Sequence, residues 1–579
     1  QRPEEQLFQS GGEAPKIKAF FARGEPRTGA GWAALASAHM AEGDEAKAKA
    51  AAIKAWRHHD LPSTFETGFL ERFGKYLTEA DHRWRLDRIL IDDVRWSSDR
   101  ADKSAPARRL IALLPEAERP RAEARLAIYL KASLGPQMIA ALPADPEGQT
   151  DWSLAYQRVQ LLRRAGQHEA VAKILMSLPA DSSLLVSPDD WFAERRLAAY
   201  EALRLGDAKR AYDLAKPIAG LSVNPQKDAT FLAGYIALVF LKDAKLAAND
   251  LAASLKAADG PLTQARAAYW HARALKALGD AAGAKAALEL AARSVDTFYG
   301  LLALQELGKT ASPFPRYPTE PTADEIVRFV SLDAVRAVIV ARKAGLDLSV
   351  TRAFLGHLRF VLKSEGEAAL LGHLAEIVGD TQMAVRIGKA IIARGQNLVY
   401  FSYPTHPMPA YTPLRPPPEL AFLLGIARQE SEFNPSTVSG AGARGLLQVM
   451  PITAAHICRD YRIKCETQRL LTDKVYNATI ASAYIGDRLG EFGGSYVLTL
   501  SGYNAGPGRT RQWIREFGDP RDPAVDTIAW IERIPFEETR EYVKKVLSNI
   551  QIYRFRLGEE GARIRIVEDL ARARRGAAP

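Results

Sequence analysis

A helix, a glycine-centred turn and a second helix recur through the first 300 residues of this chain. That repeat limits what the chain can fold into. It is plainest in LAYQRVQLLRRAGQHEAVAKIL (Leu154–Leu175), RLAAYEALRLGDAKRAYDLA (Arg196–Ala215) and AAYWHARALKALGDAAGAKAAL (Ala267–Leu288); LASAHMAEGDEAKAKAAA (Leu35–Ala52) reads the same way. The turns centre on Gly166, Gly206 and Gly279, with Lys242-Asp243 standing in between the last two. One such helix pair cannot bury its apolar stripe, but a stack of them can. The spacing therefore predicts an α-superhelical solenoid over residues 1–310 in preference to a generic helical bundle.

Two proline-rich stretches divide the rest of the chain. TASPFPRYPTEPTADE (Thr310–Glu325) reads as a linker, and helical periodicity then resumes from Ile326 to about Gln396, giving a helical linker domain over 311–410. YPTHPMPAYTPLRPPPE (Tyr403–Glu419) closes that region; three consecutive prolines cannot lie inside a helix but can precede one. Residues 411–579 read as one compact, mostly helical domain ending in a basic tail, ARIRIVEDLARARRGAAP, expected to be a frayed helix or disordered. The whole chain is thus expected to be all-α.

At 579 residues with 47% hydrophobic and 25% charged content, the chain is an ordinary multidomain globular protein. Its net charge of +10 favours an anionic partner. Both signs are interspersed, however, and no basic block carries interleaved aromatics, so nucleic acid is not expected. No apolar run reaches the length of a membrane span. The chain begins at Gln1 without a charged-then-apolar leader, and it reads as a mature product whose targeting signal is gone. Its two cysteines, Cys458 and Cys465 in CRDYRIKC, are too few for a zinc site; a local disulfide and a pair of reduced thiols are equally open.

The chemistry concentrates at RQESEFNPSTVSGAGARGLLQVMP, Arg428–Pro451. ELAFLLGIARQESEF (Glu419–Phe433) has a helical period, with Leu420, Leu423, Leu424 and Ala427 forming its buried face. Glu430 projects at the edge of that face. Glu432 projects beside Arg428, four residues earlier, as a solvated pair worth a few tenths of a kcal/mol, and its loss is expected to matter little. A carboxyl against apolar surface has its pKa raised and stays protonated, the state a general acid needs. The alternative for Glu430 is a buried structural glutamate tied to a backbone amide or a lysine. Asn434-Pro435 is expected to stop the helix, and the small residues of SGAGARG (Ser439–Gly445) leave room for a bulky polymer near the backbone.

This segment resembles the catalytic motif of the soluble lytic transglycosylases, cell-wall enzymes with a goose-lysozyme-like catalytic domain. Three further segments agree in order: LTDKVYNATIASAYIGDRL (Leu471–Leu489), with Asp473-Lys474 where Asp-Pro is usual; GYNAGPGR (Gly502–Arg509), with Gly502 where alanine is usual; and IPFEETREYVKKVL (Ile534–Leu547). The match covers roughly Leu420 to Tyr553.

The resemblance implies a lysozyme-like transglycosylase domain with Glu430 as sole catalytic acid and base. It implies that Ser439 faces the substrate and that Gln448 and Met450 line the groove, with Leu447 replacing a more usual methionine. Tyr503 contacts the sugar chain, Asn504 supports its loop, Glu538 stands on the opposite wall, and Tyr542 hydrogen-bonds the catalytic carboxylate. Gly445, Gly506 and Pro451 read as backbone-shaping, Asn477 as a structural hydrogen-bonder, and Arg540 as a residue that could equally pair with Glu537 or Glu541 at the surface. The implied activity is that of an exo-type peptidoglycan lytic transglycosylase without metal or cofactor. It would act as a periplasmic monomer on peptidoglycan glycan strands, with cell-wall synthesis or secretion proteins as further partners and a place at the outer membrane. The competing readings are a lysozyme-type hydrolase on the same glycan and a non-catalytic cell-wall-binding scaffold.

Overall fold

The computed structural model describes residues 2–58, 61–91, 97–143, 145, 150–396, 398–558 and 563–573. All regular structure among these residues is helical. β-type pairing is confined to the isolated bridges Ala311–Arg563, Val438–Arg444 and Arg444–Val449. The chain forms two compact units, Gln1–Leu232 and Ala233–Pro579.

In the first unit the repeats form antiparallel helix pairs: Gly29–Ala41 with Glu45–Arg57, Trp152–Arg164 with His168–Met176, and Pro188–Arg204 with Ala208–Ala215. The Gly-Asp dipeptide of the sequence explains the turn. Gly206, at φ +84°, lets the first helix end in a left-handed residue, and Asp207 then caps the next helix by accepting from Arg210 N at 2.9 Å. Asp44 does the same for Lys47 N at 3.1 Å. Each pair turns an apolar face inward; Trp56, Phe69, Phe73, Leu86 and Leu90 belong to one such core.

In the second unit the repeat continues in Ala244–Ala257, Pro261–Ala277 and Ala281–Ala291. At its irregular turn Lys242 takes the left-handed place (φ +58°), at a cost of roughly 1–2 kcal/mol for a non-glycine residue, and Asp243 still caps the following helix through Leu246 N at 2.9 Å. After the proline-rich linker, Thr322 and Glu325 form a reciprocal cap that starts the helix Ala323–Ser331. Four more helices come after it, ending with Thr381–Ile392, and they share a core that includes Phe329, Val335, Leu355, Leu358 and Ile387.

The C-terminal part of the second unit is built around Leu420–Glu430 and the long helix Glu537–Arg556. Asn549 joins them: its Nδ2 donates to Gly425 O at 3.1 Å and its Oδ1 accepts from Arg428 Nη1 at 3.0 Å. The first of these helices is not amphipathic in the expected way. Ala421 through Arg428 are all buried, while Leu420, assigned to the buried face, is 43% exposed. A helix that is apolar all round is enclosed on every side.

A buried ion cluster ties this part to the repeat helices of the same unit. Glu532, 1% exposed, accepts from Arg266, Lys544 and Tyr299, with Arg540 Nε 3.6 Å away. Arg540 is itself buried and donates to Ile534 O at 2.7 Å, so it is no surface residue. The tail also departs from expectation. Ile566–Leu570 is a docked helix, with Ile564, Ile566 and Leu570 buried and Asp569 accepting from Arg554 and Gln551, each at 2.6 Å. Residues 574–579 of that tail lie outside the described residues.

Candidate active site

Glu430 is the last residue of its helix, which ends three residues earlier than the periodicity suggests. Ser431 breaks the helix, and its Oγ donates to Leu446 O at 2.6 Å. Glu432 and Phe433 then take φ values of +51° and +66°, so the chain turns away before Asn434-Pro435 is reached. The Glu430 side chain keeps some contact with solvent, but its carboxyl is set among protein atoms. Burial pushes its pKa up from 4.5 to about 7; the Tyr542 hydroxyl pulls it down, and the charge of Glu538 pushes it up. Glu430 thus holds a proton over the range in which ordinary glutamates are ionised.

Two tyrosines flank it. Tyr542 is 4% exposed and lies on the Glu537–Arg556 helix. Its hydroxyl is held strongly protonated by burial, by Glu430 and by Tyr503. It stands close enough to act on Glu430, yet no group among the described residues completes a well-formed hydrogen bond to it. Tyr503 has its ionisation suppressed by burial and then by Glu430; its hydroxyl donates to Leu447 O at 2.6 Å. Asn504 Oδ1 accepts from Thr539 Oγ1 at 2.6 Å, which ties the tyrosine's loop to the helix bearing Glu538 and Tyr542. Glu538 is exposed in the first turn of that helix.

The loop 436–450 meets Tyr503 through Leu447 O. Val438, Arg444 and Val449 form its two bridges. Ser439 is partly buried, and its Oγ accepts from Ala443 N at 3.0 Å. Gln448, 9% exposed and at φ +51°, spends its amide nitrogen on Thr437 O and Gly445 O, both at 2.9 Å. Met450 is half-buried and precedes Pro451, the first residue of the helix Pro451–Asp460.

Asn477, fully buried, stitches this loop. Its Oδ1 accepts from Leu447 N at 3.0 Å, and its Nδ2 donates to Arg444 O at 2.9 Å and Leu470 O at 3.0 Å. Gly445, at φ +77°, passes so close to Leu470 O and Asn477 Nδ2 that no side chain fits there. Asp473 caps the Asn477 helix through Val475 N and Tyr476 N, so lysine in place of proline at 474 leaves the helix start intact.

The expected ion pair of Glu432 fails. Glu432 does not pair with Arg428. Arg428 is buried, donating to Ser402 O at 2.7 Å with its guanidinium 3.8 Å from the centre of the Tyr403 ring. Glu432 instead meets Arg386 and Lys389 of the helix Thr381–Ile392, because the left-handed turn swings it off its own helix. Of the two states left open for Cys458 and Cys465, the structure has the unbridged one. Both are free thiols: Cys458 is buried, 3.4 Å from the Tyr476 hydroxyl and 3.9 Å from Lys464 O, and Cys465 is exposed. The residues that reading the sequence missed are Gln382, Arg386 and Lys389. They sit about 50 residues before the site, and their spacing of four and three along one helix was the only local signal.

Residues 415–524 match the transglycosylase SLT domain, and residues 533–561 match the soluble lytic transglycosylase helical domain. The soluble lytic murein transglycosylase of Escherichia coli K12 is 38% identical over 141 residues, 24% of this chain and 21% of that protein. Membrane-bound lytic murein transglycosylase D of the same strain is 33% identical over 120 residues, 21% of this chain and 25% of that protein. The alignments thus span about a fifth to a quarter of the length of these relatives. The fold extends further. An inactive mutant of the Pseudomonas aeruginosa lytic transglycosylase Slt superposes with a TM-score of 0.65 at 21% identity, covering 94% of this chain and 84% of that one. The 70-kDa soluble lytic transglycosylase of E. coli superposes at 0.60, also at 21% identity. Its C-terminal segments thus resemble those of the soluble lytic transglycosylases, and its fold resembles theirs over most of its length.

Proposed function

We propose that this chain is a peptidoglycan lytic transglycosylase. It cleaves the β-1,4 bond between N-acetylmuramic acid and N-acetylglucosamine and leaves a 1,6-anhydromuramic acid end. The observation that carries this reading is the desolvated Glu430 carboxyl, protonated up to about pH 7, at the helix end between Tyr503 and Tyr542.

Glu430 gives its proton to the glycosidic oxygen as the C1–O4 bond breaks, and the substrate's 2-acetamido group stabilises the cationic C1. The Glu430 carboxylate then takes the proton of the muramoyl 6-hydroxyl, and O6 closes onto C1. The proton count returns to its start without water, metal or redox group, and one residue serves as acid and base in turn. Tyr542, held protonated, supports the carboxylate between the two steps. Tyr503, Ser439, Gln448 and Met450 line the path of the glycan. The names of the relatives support murein as substrate; with that substrate, the place of action is the periplasm.

Glu538 keeps a second reading open, since its charge reaches Glu430 and hydrolysis ordinarily uses two carboxylates. Replacing each in turn separates the two. Glu430→Gln lowers turnover of purified glycan strands by at least about 10²-fold, while Glu538→Gln retains turnover with the product end unchanged. Loss of activity in both, with reducing ends from the wild type, favours the hydrolase.

A further inference from the structure

The turn after Glu430 is held from outside its own domain. Glu432 and Phe433 are consecutive left-handed residues, and neither is glycine, asparagine or aspartate. Such conformations persist where neighbours over-determine them. From within the domain, Phe433 is buried at 3% exposure and Ser431 is bonded to Leu446. From the helical domain before it, one helix, Thr381–Ile392, supplies three side chains. Gln382 spans the turn: its Nε2 donates to Ser431 O and its Oε1 accepts from Asn434 Nδ2, both at 3.3 Å. Arg386 Nε donates to Glu432 Oε2 at 2.7 Å, and Lys389 Nζ donates to Oε1 at 2.9 Å, one cation on each oxygen. Positions 382, 386 and 389 fall at i, i+4 and i+7, a single helix face aimed at the turn.

We infer that Glu432 is a positioning residue: clamped by Arg386 and Lys389, it fixes the turn that sets the Glu430 carboxyl, and it makes the helix Thr381–Ile392 a working part of the active site. The inference rests on Glu430 as the proton-transferring group.

The geometry explains why a clamp is needed. Glu430 is the terminal residue of its helix, where the backbone is least constrained by the helix itself. In one turnover its carboxyl must reach two different substrate oxygens, and a displacement of about 1 Å can cost roughly 10²-fold in rate. Glu432 is also no freely solvated anion. Its side chain is 22% exposed; burial opposes its ionisation, and Lys389 and Arg386 outweigh that and hold its carboxyl below the usual range. Lys389, half-buried near Arg428 and Lys545, has its pKa lowered first by burial and then by those cations, and Glu432 counters both.

The test uses the full-length protein and glycan strands, with kcat and KM measured separately. Glu432→Gln keeps the shape and removes the charge; it is expected to lower kcat about tenfold with KM within about twofold. The double variant Arg386→Gln, Lys389→Gln is expected to do the same. The triple variant should be no worse than either, since all three residues act through one contact. Glu432→Asp, which keeps the charge, should recover part of the rate. Full kcat in Glu432→Gln, losses that multiply in the triple variant, or a fall in kcat matched by a fall in folded fraction by circular dichroism would overturn the inference. Glu430→Gln measured alongside keeps the two claims apart. If it remains active, the proposed chemistry fails; if it is inactive while Glu432→Gln is fully active, only the clamp fails.

Discussion

Removing the acid from Glu430 should make the protein more stable, but only above the pH at which the acid ionises in the unfolded chain. Burial raises the pKa of this carboxyl from 4.5 in an open chain to about 7 in the fold. In that window the folded state binds the proton more tightly than the unfolded state, so stability falls as pH rises. At about 1.4 kcal/mol per tenfold in proton affinity, the fold bears a penalty of roughly 3 kcal/mol above pH 7. Glu430→Gln keeps the side chain's size and removes that penalty. Scanning calorimetry of wild type and variant at pH 4, 6 and 8 reads the difference, and other titrating groups cancel between the two. The variant should nearly match the wild type at pH 4, show more than half of the full gain at pH 6, about 2 of the roughly 3 kcal/mol, and unfold a few degrees higher at pH 8. An equal gain at pH 4 and 8 would show that the benefit is packing rather than charge. No gain at pH 8 would show that Glu430 is not held protonated, and the acid role would lose its physical basis.

Further perturbations have signs fixed by the same geometry. Tyr542→Phe removes a group that lowers the Glu430 pKa, and Glu538→Gln removes one that raises it. In pH–rate profiles, the fall in activity on the alkaline side should move to higher pH in the first variant and to lower pH in the second; shifts of the same sign would refute the electrostatic account. Gly445→Ala places a methyl group against Leu470 O and Asn477 Nδ2 at a left-handed φ, so thermal unfolding should show one of the larger losses in the domain. Wild-type stability there would mean that the loop relaxes freely. Glu532→Gln leaves Arg266, Lys544 and Arg540 without their shared anion and should cost about 3–5 kcal/mol at neutral pH in urea unfolding.

What the sequence made legible was local. The helix–Gly-Asp–helix repeat could be read because the left-handed glycine and the capping aspartate are adjacent, and even Lys242-Asp243 adopts the same geometry. Asn477 could be read as structural because its helix start and its loop lie within one motif. What stayed hidden was pairing at a distance. The partners of Glu432 lie 43 and 46 residues upstream, and its left-handed turn carries no glycine to announce it. Arg540 looked like a surface residue, but it is buried beside Glu532, which the distant Arg266 also pairs. The basic tail looked disordered because the buried partner of Asp569 is Arg554, on the preceding long helix.

The central claim is that Glu430 closes a ring instead of admitting water. Mass analysis of the glycan ends released from purified peptidoglycan in heavy-oxygen water tests it directly. The account predicts ends lighter than a reducing end by one water and free of heavy oxygen, and none of either kind from Glu430→Gln. Reducing ends that carry heavy oxygen would contradict it and identify the enzyme as a hydrolase.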